Sequence, residues 1–224
     1  MYISELVNEY GRKYSPYSDV LINHLPMTQL ALFKLYEDYE KVKTFTESIV
    51  DKVKILPIKG ESSVVNSIED TLGKPDLYEA CMELIKKEIG AKGVDAVVRN
   101  ILNSYPLGLS SDMFHPIIRL ACAMEGYKID KALEEEVARA LAYYITSYKE
   151  GKVFKREIRG YEILNEMEKL VTDPYINRVR KSQASATNKL IALYDDEEYQ
   201  NKGFVIEGIE ENKVRLLLNL ILPA

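Results

Sequence analysis

The stretch that decides the fold class is Lys131–Tyr148, which runs KALEEEVARALAYYITSY. Its apolar side chains recur at three- and four-residue spacing and share one face, namely Leu133, Val137, Leu141 and then Tyr144 or Ile145. This periodicity predicts an amphipathic helix whose apolar stripe faces a core. The acidic run Glu134–Glu136 predicts a solvated surface near the positive end of the helix dipole.

The same spacing recurs along the chain and strict alternation is scarce, so the sequence predicts an all-α protein. Further helices are predicted at Tyr2–Tyr14, Pro26–Asp38, Glu40–Val53, Ser63–Leu72, Pro75–Ile89, Val94–Ser104, Met113–Glu125, Tyr161–Val171, Pro174–Lys181, Ala184–Tyr194 and Glu210–Leu222. Short connections predict antiparallel helical hairpins in a single multi-helix domain over residues 1–224. The polar segment 151–159 predicts a hinge or mobile loop, and Phe204–Ile206 predicts a short extended piece.

Composition and charge are typical of a folded, soluble protein. Of the 224 residues, 46% are hydrophobic and 29% are charged, with a formal net charge of -5. This balance argues against nucleic acid as a partner, because that affinity needs clustered cations. The one basic cluster, Arg178–Lys181, either faces solvent or binds a polyanion. No apolar run approaches the ~20 residues that span a bilayer. We therefore expect no membrane partner and, with no signal-peptide pattern, a cytoplasmic location.

The reactive residue types are few. Cys81 and Cys122 are the only cysteines, and their separate helical contexts predict buried, reduced thiols rather than a disulfide or a CxxC metal site. No GxSxG elbow, P-loop, GxGxxG or HExxH motif occurs, so common nucleophile, nucleotide and zinc sites are not indicated.

The only two histidines are His24 and His115, and each lies close to a proline at the predicted start of a helix. Imidazole is the side chain best suited to bind a transition metal or to move a proton near neutral pH. Any histidine chemistry must therefore use these two positions. The alternative is that each histidine is a hydrogen-bonded structural residue without such chemistry.

Two polar residues accompany His115 on its predicted helix. Asp112 lies one turn earlier, where it is either a metal ligand or an N-cap. Arg119 lies one turn later, where its guanidinium either holds an anionic group or pairs with a carboxylate such as Glu125.

Tyrosine is abundant, with 16 residues, and tryptophan is absent. Five tyrosines gather around the His115 helix and its successor, namely Tyr105, Tyr127, Tyr143, Tyr144 and Tyr148. Because a tyrosine has a stacking face and a polar tip, they either line a site for a flat aromatic molecule or seal the helix packing.

The segments around the two histidines resemble the motifs of a known family. The first is Asn23-His24-Leu25-Pro26-Met27, followed by Leu30-Ala31-Leu32. The second is Phe114-His115-Pro116-Ile117-Ile118-Arg119-Leu120-Ala121, followed by a helix that contains Val137–Tyr143. In order and spacing, over about residues 18–148, they resemble the questin oxidase family.

The resemblance implies an all-helical relative of oxygenases that act on polycyclic aromatic substrates such as anthraquinones. It also implies that His24 and His115 are ligands of a non-haem iron, and that Arg119 stabilises developing negative charge. The chain departs from the family pattern because no histidine follows His115. Ala184–Thr187 stands where a further histidine is expected, so a four-histidine centre cannot form within one chain.

Two functions are consistent with these residues. The first is a reduced questin oxidase-like oxidoreductase that acts on an aromatic or polyketide-like molecule, with iron held by His24, His115 and a carboxylate such as Asp112 or Glu125. The second is a non-catalytic helical module for ligand binding or protein interaction, in which the histidines satisfy backbone groups at helix starts. The apolar run Leu216–Leu222 is expected to pack on the chain itself or on the second chain of a homodimer.

Overall fold

The computed structural model describes residues 2–17, 23–53, 55–60, 64–108, 111–150, 154, 156–182, 188–189 and 196–206. These residues are predominantly helical, which confirms the all-α prediction. The chain divides into two compact units, Met1–Glu150 and Gly151–Ala224. The division falls at the beginning of segment 151–159. The single domain and the hinge stay predictions.

The described part of the first unit contains seven α-helices. They are α1 (Ile3–Lys13), α2 (Leu25–Tyr36), α3 (Tyr39–Lys52), α4 (Tyr78–Lys92), α5 (Val94–Ser104), α6 (His115–Ile129) and α7 (Glu134–Thr146). Short 3-10 turns precede α4, α6 and α7, at Pro75–Leu77, Ser111–Phe114 and Lys131–Leu133.

Helix α7 lies at the centre of the first unit and packs against α4 and α6. Every residue from Glu136 to Thr146 is buried, so the helix is enclosed on all sides rather than along one stripe. Alanines at positions 138, 140 and 142 allow the neighbouring helices to approach closely. The prediction of a solvated acidic run is wrong for Glu136, which is fully buried, whereas Glu134 is exposed.

A second group of apolar side chains joins α1, α2 and α3, and it includes Leu6, Val7 and Val42. Asp38 begins α3 as an N-cap, since its carboxylate accepts a hydrogen bond from the Lys41 backbone N–H at 3.1 Å. Because only two residues separate α2 from α3, the pair forms the compact helical hairpin that the sequence predicts.

Buried charges tie α6, α7 and α1 together. The guanidinium of Arg119 donates to both carboxylate oxygens of Glu136, at 2.8 and 3.2 Å. Arg139 donates to Glu136 at 3.3 Å and to Asn8 Oδ1 at 3.0 Å. Arg139 also pairs with Glu135 at 2.6 Å. Each buried arginine thus has a carboxylate partner, and Glu135 also binds Arg12 at 2.6 Å at the edge of the network.

Gly11 makes the approach of α1 to this network sterically feasible. A Cβ atom at this position would lie 2.7 Å from Nη1 of Arg139. Any side chain larger than hydrogen would therefore displace the guanidinium from its partners on α1 and α7.

Two predicted helices end or begin differently in the structure. Helix α4 continues through Gly90 to Lys92, and its C-cap is Gly93, whose φ of 81° suits glycine. Of the predicted helix Ser63–Leu72, the described residues form only the 3-10 turn Glu69–Thr71. There Ser67 and Asp70 form a reciprocal cap, since the Asp70 carboxylate accepts from the Ser67 N–H and Ser67 Oγ accepts from the Asp70 N–H, and the helical turn begins only after it.

The described part of the second unit contains α8 (Ile163–Thr172), α9 (Pro174–Lys181), α10 (Glu197–Lys202) and two short strands. Strands β1 (Glu157–Ile158) and β2 (Val205–Ile206) pair in parallel, with Glu157 opposite Val205. The extended piece predicted near residue 205 is thus confirmed. The predicted helix Glu210–Leu222 and the apolar run within it lie outside the described residues, as does most of Ala184–Tyr194.

No helix in the described ranges is both long and apolar enough to cross a bilayer. Both cysteines are free, and Cys81 is buried while Cys122 is half-buried.

Replacing Glu136 with Gln tests the buried network. The change leaves Arg119 and Arg139 as buried cations without their shared carboxylate, so we expect the free energy of unfolding to fall by about 3–5 kcal/mol. Urea unfolding followed by circular dichroism measures the change. Glu125→Gln is the matched control, because it removes an exposed pair with Lys34 and should have a much smaller effect. Equal losses in the two variants would contradict the structure.

The buried thiol of Cys81 provides a labelling test of the structure. Burial raises the pKa of Cys81 to about 11, so at pH 8 this group remains the unreactive thiol. We expect the folded Cys122→Ser variant to resist labelling by a disulfide reagent at pH 8 and to react fully once it is unfolded. Rapid labelling of that folded variant would show that Cys81 is accessible.

Candidate histidine site

The two histidines lie at the starts of neighbouring helices. His24 immediately precedes α2 and His115 is the first residue of α6, and Pro26 and Pro116 occupy the first helical turns. Proline is tolerated there because those N–H groups have no partner within the helix. Helix α2 packs against α6. The structure brings the imidazoles together, with ring centroids 4.8 Å apart and an interplanar angle of 84°.

Asn23 fixes the backbone just before α2. The residue belongs to the first histidine motif, but this role was not predicted from the sequence. Its side-chain oxygen accepts from the Leu25 N–H at 3.0 Å, and its amide donates to the Ser15 carbonyl at 3.0 Å. Asparagine just before a helix is a recognised capping signal. Asn23 therefore sets the position from which His24 extends.

A hydrogen bond fixes the ring of His115. Its Nδ1 lies 2.8 Å from the backbone carbonyl oxygen of Asp112. A carbonyl oxygen can only accept, so Nδ1 carries the proton and Nε2 of the neutral ring has the free lone pair. His115 is half-buried and His24 is exposed, so the pair is accessible from solvent.

The backbone before α6 is strained. Asp112, Met113 and Phe114 have φ values of 46°, 56° and 69°. For residues other than glycine, this left-handed region costs about 1–2 kcal/mol per residue. The conformation displaces the start of α6 from the predicted Met113 to His115, and it directs the Asp112 carbonyl toward the His115 ring.

Tertiary hydrogen bonds hold this strained turn on both sides. Ser111 Oγ accepts from the Lys149 N–H at 2.8 Å. The hydroxyl of Tyr143 donates a hydrogen bond to the Asp112 carboxylate. Burial first, and then this bond, raise the pKa of Tyr143 above its ordinary value. The N-cap interpretation of Asp112 is wrong, because α6 has no side-chain cap.

The structure places Arg119 in the buried core rather than beside the imidazoles' exposed edges. Its guanidinium is engaged by Glu136, and only Nη1 has no partner among the described residues. The predicted ion pair of Arg119 with a carboxylate is therefore confirmed, with Glu136 as the partner. Glu125, named as an example, instead accepts from Lys34 at 2.7 Å. Arg119 thus anchors the helix that bears His115.

The predicted tyrosine cluster mainly seals helix packing. Tyr143 and Tyr144 are fully buried, and the hydroxyl of Tyr144 donates to the Tyr105 carbonyl at 2.7 Å. A cavity of about 730 Å³ is instead lined in part by Tyr17 and Tyr78, with Pro57 and Pro75. Neither histidine lines it, so this cavity and the histidine pair are separate features.

The two imidazoles suit two ligand positions of a transition metal, since His115 has its second nitrogen anchored as metal-bound histidines usually do. The described residues do not supply a third metal ligand in the same way. Among the described residues, no group of three or more His, Cys, Asp or Glu side chains could hold a metal ion. Asp112 directs its carboxylate to Tyr143, and Glu125 directs its own to Lys34. The described residues therefore do not fit the three-ligand arrangement of His24, His115 and a carboxylate.

The hydrogen bond of His115 predicts its tautomer. We expect long-range ¹H–¹⁵N correlation spectra of the neutral ring to show Nδ1 protonated and Nε2 unprotonated. The His24→Ala variant, which retains a single histidine, assigns the signals. An Nε2-protonated ring would mean that the bond to the Asp112 carbonyl is absent.

Comparison of the chain with models of known protein families, with curated proteins and with solved structures finds no match. The likeness to questin oxidases thus depends on the residues around His24 and His115.

Proposed function

We propose that this chain is a reduced questin oxidase-like oxidoreductase that acts on an aromatic or polyketide-like small molecule at the His24–His115 pair. The observation that carries the proposal is the 4.8 Å separation of the two ring centroids. The two residues are distant in sequence, and their helices place them side by side at an accessible position. A strained backbone that orients one ring adds support, because such strain is concentrated at functional sites.

The surface beside the pair suits an apolar, flat substrate. Phe114 and Ile118 flank His115 along the chain, and each is 48% exposed. An exposed aromatic ring offers a face on which a planar molecule can stack. Nε2 of His115 can accept a proton from a phenolic hydroxyl, while the bond from Nδ1 to the Asp112 carbonyl holds the ring in place.

Iron is the cofactor that the family resemblance suggests, and a bound iron would supply dioxygen chemistry. In this proposal His24 and His115 would be its two ligands from the described residues, because Asp112 and Glu125 bind Tyr143 and Lys34. We also propose a cytoplasmic location, since free thiols such as Cys81 and Cys122 are typical of reducing compartments.

A non-catalytic helical module is the second candidate, and two observations favour it. The carboxylate of Asp112 and the guanidinium of Arg119 are both committed to partners on α7. In that case the histidines serve to fix two helix starts.

Metal analysis distinguishes the two candidates. We expect the chain to retain iron when it is purified anaerobically with Fe(II), and the His24→Ala, His115→Ala double variant to lose it. Asp112→Asn should retain the wild-type iron content, because that carboxylate binds Tyr143. Inductively coupled plasma mass spectrometry measures the metal, and thermal unfolding confirms that each variant folds.

An iron content of the wild type no higher than that of the double variant would contradict the oxidoreductase proposal. The non-catalytic candidate instead expects that His24→Asn or His115→Asn lowers the melting temperature with no change in metal content. Normal stability together with lost iron would contradict that alternative.

A further inference from the structure

The second unit contains a cavity of its own, with a volume of about 510 Å³. This size lies within the range of small-molecule sites. Its walls come from α8, α9, α10 and the segments beside them, and they are mainly apolar. The apolar side chains that line it are Phe154, Leu170, Ile176, Val179, Tyr199 and Phe204.

Close packing shapes the aromatic wall. The rings of Phe154 and Tyr199 meet edge to face, with centroids 5.4 Å apart. Phe154 occupies the space where Gly203 lacks a side chain, because a Cβ there would lie 2.1 Å from the ring. The glycine therefore permits the position of this ring beside the cavity.

Two cations contribute to the lining, Arg180 and Lys189, and no acidic residue in the described lining balances them. Arg180 donates to Asn177 Oδ1 at 3.0 Å, and Lys189 donates to the Arg180 backbone carbonyl at 2.9 Å. The described ion pairs of this unit use other cations, namely Arg156, Lys169 and Lys202. Arg180 and Lys189 therefore place positive charge beside an apolar cavity, and neither has a carboxylate partner among the described residues.

Only part of the basic cluster Arg178–Lys181 lies at this cavity. Of its members, Arg180 lines the cavity, whereas Arg178 lies over the Tyr175 ring at 5.4 Å. The cluster therefore has one part at the cavity and another part on a different surface of α9.

We propose that this cavity binds a small amphipathic carboxylate, with its apolar body between the aromatic and aliphatic walls and its carboxylate at Arg180 and Lys189. An arginine fork and a lysine ammonium are complementary to a carboxylate. The site is independent of the histidine pair, and it goes beyond the proposed oxidoreductase activity.

Isothermal titration of the full chain with 2-naphthoate and with the uncharged 2-naphthol tests this inference. We expect saturable 2-naphthoate binding that weakens about tenfold in the Arg180→Gln, Lys189→Gln double variant, as expected for lost charge pairing. The control is Arg178→Gln, Lys181→Gln, which removes the same number of positive charges from residues of α9 that do not line the cavity and should leave affinity within about twofold. Binding of 2-naphthol should be the same in both double variants.

Leu170→Trp provides a second arm, because the larger ring occupies part of the cavity and should weaken binding of both probes. Circular dichroism establishes that each variant is folded. The proposal is overturned if wild-type binding is not saturable, or if both double variants weaken 2-naphthoate equally. It is also overturned if 2-naphthol loses as much affinity as 2-naphthoate, or if folded Leu170→Trp binds both probes normally.

Discussion

The ion pair between Arg119 and Glu136 is the interaction on which the rest of the first unit depends. Both side chains are almost entirely removed from water, and removal of Glu136 would leave Arg119 as an uncompensated charge inside the protein. Glu136 also accepts from Arg139, which in turn binds Asn8 on α1. A directional polar contact of this kind fixes how far α1, α6 and α7 can slide along one another, which apolar side chains alone do not specify.

The histidine site derives its geometry from the same helix pair. Arg119 lies one turn after His115 and is bound to α7, while Asp112 lies one turn before it and is also bound to α7, through Tyr143. The start of α6 is therefore held on both sides of His115. This anchoring offsets the strain of three successive left-handed residues. Helix α2 packs on α6 and brings His24 to the oriented ring.

Periodicity predicts most helices, because their apolar spacing is a local property, and the motifs indicate both histidines. Two kinds of feature are not predictable in this way. The partner of Glu136 is an arginine on another helix, so a local pattern shows only an acidic run. In the left-handed segment Asp112–Phe114, only Asp112 is of a type enriched in this conformation, and Met113 and Phe114 are not. Its conformation comes from tertiary bonds of Ser111 and Asp112, and the approach of His24 to His115 is likewise a property of the fold.

The hydrogen bond between the Asp112 carboxylate and Tyr143 limits the roles that Asp112 can have at the histidine site. Its hydrogen-bond donor is a largely buried phenol whose pKa is raised, so Tyr143 remains protonated and continues to donate near neutral pH. Loss of this bond would release the turn that orients His115, so the bond to Tyr143 gives the Asp112 carboxylate a structural role. The chain therefore has two separate components at this position, a carboxylate that shapes the backbone and an imidazole pair that faces solvent. In the proposed function the imidazoles therefore carry the chemistry, and Asp112 contributes through the carbonyl oxygen that binds Nδ1 of His115.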